Sequence, residues 1–189
     1  MKRISIIAAA FFLMTTAGFA QTWNWDKAHS QLNFGVTHQT ISEIDGTFGT
    51  VSATLTSSKD DFSDAVVELT ADVNSINTGV EQRNTHLKSD AFFDAAKFGT
   101  LTFKSTSFKH VGGKNYQVTG DLTFHGVTKS VVLNAVFNGT VLNMQKKTVA
   151  GFKVTGTIKR SDFGIGTSFP VSIVSDEVML NANAEFVKS

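Results

Sequence analysis

From residue 21 onward apolar and polar side chains alternate with a period of two. Leu32, Phe34, Val36 and His38 alternate with Asn33, Gly35 and Thr37, and Val67, Leu69, Ala71 and Val73 with Glu68, Thr70 and Asp72. The pattern returns at Leu101 and Phe103, at Tyr116, Val118, Leu122 and Phe124, and at Val131, Leu133, Ala135 and Phe137. It closes with Phe152, Val154 and Ile158, then Val178, Leu180, Ala182, Ala184 and Phe186. Successive side chains of a strand point to opposite faces, so each run is a strand with one buried and one wet face. With the stretch from Gly46 to Leu55, the chain is expected to form eight strands.

Turn residues separate these runs. Gly112-Gly113 is expected at a hairpin tip between strands near 101–109 and 114–124. His125-Gly126, Asn138-Gly139 and Ser57-Ser58-Lys59-Asp60 read as further turns, and Pro170 falls near the start of the last strand. Only Val80 to Phe98 departs from period two. Its polar, mostly unbranched residues predict one or two short helices between strands 3 and 4, the second capped at Ser89, with Phe92, Phe93 and Phe98 seating them.

Because the reverse faces are polar throughout, none is left for a second sheet to cover. Closure also removes exposed edges. The predicted fold is therefore all-β, an eight-stranded antiparallel lipocalin-like barrel. Small residues such as Ala71, Ala135, Gly156, Ala182 and Ala184 on the inward face leave volume inside. The expected lining is Phe34, Val36, Leu69, Phe103, Leu122 and Phe124 from the first half of the barrel. Leu133, Ala135, Phe152, Val154, Leu180, Ala182 and Phe186 complete it. Such a lumen is dry and apolar, and suits a long hydrocarbon.

The N-terminus changes the picture of where the chain works. Lys2 and Arg3 precede an apolar run from Ile4 to Leu13, and Gly18 and Ala20 sit three and one residues before Gln21. This is the pattern of a secretory signal, residues 1–20, cleaved near Ala20. Residues 21–189 are then one domain, periplasmic or secreted. Without Lys2 and Arg3, 15 basic residues stand against 16 acidic, which gives no electrostatic case for nucleic acid. No later run approaches the roughly 18 apolar residues of a membrane span, so stable membrane insertion is not expected. The absence of cysteine excludes disulfides and thiolate metal sites.

The residues also resemble the YceI-like family of bacterial polyisoprenoid-binding proteins over essentially all of residues 21–189. The resemblance is carried by Asp26-Lys27-Ala28-His29-Ser30 with Phe34, Val36 and His38, then Gly46-Thr47-Phe48 and Ser75-Ile76-Asn77-Thr78-Gly79. It continues through Arg83-Asn84-Thr85-His86-Leu87-Lys88-Ser89 into Phe92-Phe93-Asp94, through Gly120 to Lys129, and through Arg160-Ser161-Asp162-Phe163-Gly164. It implies a barrel that takes an isoprenoid or similar chain, and it allows a homodimer. The family's Tyr-Pro pair after the helix is replaced here by Phe98-Gly99.

Three functions follow. The first is an exported carrier of a polyisoprenoid, quinone-like or fatty chain, not an enzyme and without cofactor or metal. The second is a lipid-modifying enzyme using His and Asp groups near a barrel end, Asp26 with His29 and Ser30, or Arg83 with His86 and Asp90. The third is a stress-related structural protein with a filled core. No Gly-x-Ser-x-Gly elbow occurs, and the five histidines show no i, i+4 pair, so the side chains favour the carrier. Gly164-Ile165-Gly166 lacks the third glycine of a phosphate fingerprint and reads as a turn.

Overall fold

A computed structural model describes residues 19–189. The expected leader lies outside the described residues apart from Phe19 and Ala20. Three long strands are each broken once: β1 (Gln21–Trp25) with β2 (Gln31–His38), β3 (Ser42–Phe48) with β4 (Val51–Ser57), and β5 (Val66–Asp72) with β6 (Ile76–Asn77). Five are continuous: β7 (Thr100–Gly112), β8 (Asn115–Phe124), β9 (Val127–Leu142), β10 (Thr148–Lys159) and β11 (Val174–Lys188). Neighbours in the barrel run antiparallel. The free edge of β11 pairs with β1 through Phe186–Lys188 and with β2 through Val174–Asn183, which closes eight staves into a barrel.

Period two holds through the staves. Phe152, Val154 and Ile158 of β10 face inward, and Lys153, Thr155 and Thr157 face water. The register keeps the apolar sets of neighbours together, with Val154 opposite Ala135 on one side and Ala182 on the other. A slip of one residue would turn each set outward, which ties register to burial.

Gly112 and Gly113 have positive φ, and Gly112 pairs with Asn115 across a two-residue turn, as the expected hairpin requires. Asn138-Gly139 is not a turn. β9 runs through it to Leu142, and the register shifts from Phe137–Phe152 to Gly139–Gly151 around a bulge. A bulge uses the same positive-φ glycine that a hairpin would, so the dipeptide alone does not separate them. The chain reverses instead at Asn143–Lys147, where the Asn143 side chain accepts from the N–H groups of Gln145 and Lys147 at 3.0 and 2.9 Å.

One α-helix, α1 (Glu81–Lys88), stands between the third and fourth staves. The helical turn expected at Ser89 is absent. Ser89 ends α1, its hydroxyl donating to the His86 carbonyl at 2.7 Å, and turns follow to Phe98. Phe92 and Phe93 are buried in those turns, and Phe93 stacks on Phe124 with ring centroids 5.1 Å apart. Gly99 keeps an unstrained φ, and its carbonyl accepts from the Val73 N–H at 2.9 Å, so the Phe98-Gly99 departure is absorbed.

The two ends of the barrel differ. One carries the loop 58–65, the tip at Gly113 and the reversal at 143–147. The other carries α1, the turn at His125-Gly126 and the segment 160–173.

Candidate functional site

The barrel interior is a cavity of about 420 Å³ with an overwhelmingly apolar lining, within the roughly 300–1,000 Å³ of small-molecule sites. All thirteen side chains expected to line it border it: Phe34, Val36, Leu69, Phe103, Leu122, Phe124, Leu133, Ala135, Phe152, Val154, Leu180, Ala182 and Phe186. Trp25, Leu32, Phe48 and Ile158 join them from the same strand faces.

The floor is an aromatic plug. Phe62, in the loop 58–65, is 1 % exposed and packs edge-on against Trp23, Phe137 and Phe152, with centroids 5.1–5.3 Å away. Its φ of +57° is costly for a bulky residue, so its surroundings must hold it there. They do so with hydrogen bonds. The Asp64 carboxylate accepts from the hydroxyls of Ser57 and Ser58 and from the Ser58 N–H, and the Tyr116 hydroxyl donates to the Asp61 carbonyl. Desolvation raises the Asp64 pKa, but the hydrogen bonds outweigh it and hold the carboxyl well below its usual range.

The mouth lies at the opposite end, between α1 and the segment 164–174. Arg83, His86 and Leu87 of α1 reach the cavity, as do His38 from the end of β2 and Phe169, Ile173 and Val174 from the far side. Arg160 fixes that far side. Its guanidinium is 6 % exposed and donates all five N–H groups to main-chain carbonyls: Ser175 (3.1 Å), Ile165 (3.1 Å), Gly166 (2.5 Å), Phe169 (2.6 Å) and Val174 (3.1 Å). Nothing is left to bind a ligand, so Arg160 is a staple. Gly166 has a φ of +57°, and a Cβ there would come within 2.7 Å of the Phe92 ring. The segment therefore closes tightly over Phe92, which stacks on Phe169 at 4.6 Å. The role of Arg160 was not legible in sequence, because an arginine at the end of an alternating run ordinarily reads as exposed.

The two side-chain groups singled out for acid–base work are not alike. On the outer wall the Asp26 carboxylate and His29 Nδ1 are 2.9 Å apart, and these groups lie within 4.8 Å of a Glu185 carboxylate oxygen. The hydrogen bond with His29 lowers the Asp26 pKa and raises that of His29. Ser30 does not join the pair; its hydroxyl donates to the Glu185 carbonyl and accepts from the Glu185 N–H. None of the four borders the cavity. Arg83, His86 and Asp90 do not form a group: Arg83 binds Thr78, His86 packs on Phe92 and Phe169, and Asp90 is exposed. His125 Nδ1 donates to the Phe163 carbonyl (3.0 Å) and His110 Nε2 to the Gly113 carbonyl (2.9 Å), both pinning turns.

A family model described as a YceI-like domain matches residues 23–186. A UPF0312 protein of Vibrio parahaemolyticus is 35% identical over 161 residues, 85% of this chain and 83% of the relative. Among solved structures, Burkholderia cenocepacia BcnA superposes with a TM-score of 0.77 at 26% identity, covering 85% of this chain and 98% of its own. A domain from Saccharophagus degradans, described as polyisoprenoid-binding and implicated in plant cell wall breakdown, shares the fold with a TM-score of 0.63 at 19% identity. That match covers 88% of this chain and 98% of the domain.

Proposed function

The chain belongs to the YceI-like family, and from that premise we propose that it is an exported carrier that holds one long apolar chain, isoprenoid or fatty, in its barrel. The observation that carries the reading is the cavity itself, apolar along its length, closed at the floor by Phe152 with Phe62 packed behind it, and open beside α1. Burying a five-carbon isoprene unit contributes roughly 3–4 kcal/mol before ordering costs, at about 0.8 kcal/mol per carbon. Two or three units outweigh the usual cost of association. The likeness in fold to a domain described as polyisoprenoid-binding supports the ligand class. The open volume favours a carrier over a structural protein with a filled core. Export rests on the leader pattern of residues 1–20.

The same lining favours binding over catalysis. Among the described residues it includes His38 and His86 but no serine, aspartate, glutamate, lysine or tyrosine. Its one hydroxyl, on Thr78, is taken up by Asn84 and Arg83, and a base with no orienting carboxylate is a poor acyl-transfer or hydrolytic centre.

The test is displacement of N-phenyl-1-naphthylamine, a dye that fluoresces in dry apolar sites, from delipidated protein. Dye bound at one site per chain and expelled by geranylgeraniol supports the carrier. Dye that stays dark, or that the lipid leaves in place, overturns it.

A further inference from the structure

The charged groups at the cavity are of one sign. The chain has 17 lysines and arginines and 16 aspartates and glutamates. Yet the ionisable side chains bordering the cavity are Arg83, Arg160, His38 and His86, with no carboxylate among them. All four belong to the open end. Arg160 has no N–H to spare.

Arg83 does. Its Nε donates to Thr78 Oγ1 at 2.8 Å and its Nη2 to the Thr78 carbonyl at 2.6 Å, which fixes the guanidinium plane. Nη1 has no protein partner among the described residues. His86 lies one turn further along the same face of α1. Phe92 and Phe169 hold its ring edge-on at 5.1 and 5.7 Å, and neither ring nitrogen is hydrogen-bonded to a described residue. Across the mouth, His38 pairs in register with Val174, whose carbonyl Arg160 holds. An oriented guanidinium with free donors at the rim of a low-dielectric tunnel, and no competing carboxylate, is the environment in which an oxyanion forms strong charge-assisted hydrogen bonds.

We propose that Arg83, with His86 beside it, is a headgroup site for an anionic oxygen cluster, a carboxylate or a phosphate, on the end of the apolar chain. The ligand is then an acidic single-chain lipid, which the cavity takes tail first with its head at α1. This assignment rests on the tunnel reading and narrows it, since a neutral quinone or alcohol would leave Nη1 unused.

Three ligands with the same tail separate the possibilities: hexadecanoic acid, hexadecyl phosphate and hexadecanol, each displacing the naphthylamine dye at pH 8, the anions below their micelle concentrations and the alcohol below its solubility. The parent protein is expected to bind the acid, the phosphate or both about tenfold more tightly than the alcohol. Whichever anion leads identifies the head as carboxylate or phosphate. Arg83→Gln should bring the leading anion to within about threefold of the alcohol measured on the same variant, and Arg83→Lys, which keeps the charge but not the guanidinium plane that Thr78 fixes, should fall between Arg83→Gln and the parent. Alcohol bound as tightly as both anions by the parent overturns the headgroup assignment and leaves the tunnel standing, whether or not the variants fold. If none of the three displaces the dye, both fall.

Discussion

The two ends of this barrel are built from the same kinds of residue and do opposite things. At the floor, Phe62 is driven into an aromatic cluster, and nearly every polar group around it is used: Asp64 on Ser57 and Ser58, Tyr116 on the Asp61 carbonyl. At the mouth, Arg160 is used up in the same way, but Arg83, His86 and His38 at the same end keep donors with no partner among the described residues. Saturated hydrogen bonding stabilises a segment and silences it; unsaturated groups beside an apolar cavity are free to meet a ligand. One end supplies the wall, the other the door.

The largest effect expected from breaking this contrast is at the floor. Phe62→Ala removes a fully buried ring from its aromatic neighbours and should destabilise the barrel by about 3–5 kcal/mol, read by urea unfolding. Dye binding should survive where the fold does, because Phe62 does not border the cavity. A loss below 1 kcal/mol would mean that the plug is not a structural anchor.

At the mouth, Arg160→Met strips five main-chain carbonyls of their donor and should cost about 2–4 kcal/mol, since water can replace part of what is lost. Unlike Phe62→Ala, it should also weaken ligand binding, because the segment 164–174 forms one side of the opening. Hydrogen exchange is expected to rise in that segment ahead of the rest of the barrel.

Between the ends, tryptophan at Ala135 or Ala182 should fill the tunnel. A packed core would lose about 1–3 kcal/mol or more on such overpacking. An open cavity should absorb the ring at one of the two sites with a smaller loss while dye binding disappears. If both variants melt far below the parent, the interior is packed in solution.

The smallest effect belongs to the outer wall. The Asp26–His29 bond raises the pKa of His29 and lowers that of Asp26, so its stabilising contribution exists between the two. It fades as pH rises through the raised His29 value, and as pH falls through the lowered Asp26 value. NMR titration should place His29 above the ordinary 6.5, and Asp26→Asn should bring it back without affecting dye binding.

The barrel was readable because alternation specifies one face of every strand, and closure follows once no reverse face is apolar. That is why Phe34, Leu69, Phe152 and Leu180 could be placed inward without coordinates. What alternation cannot carry is what happens between strands. Phe62 sits among Ser, Asp and Lys, and nothing local says that its ring folds under the barrel. Arg160 looks like any strand-end arginine until five carbonyls converge on it from residues 165–175. Asn138-Gly139 advertises a positive φ but not whether a turn or a bulge will use it. Arg83 and His86 stand at helical spacing in the sequence, but so does Asp90, which the end of α1 at Lys88 carries away from them.

The central claim is that one apolar chain occupies the barrel, and extraction of the protein purified from cells tests it most directly. Organic extract analysed by mass spectrometry, with protein quantified in the same sample, should yield a single-chain lipid approaching one mole per mole of barrel in the parent, and little or none from Ala135→Trp or Ala182→Trp, whichever keeps the fold. Parent protein that yields no apolar compound, or the same amount of lipid as a folded tryptophan variant, would contradict it.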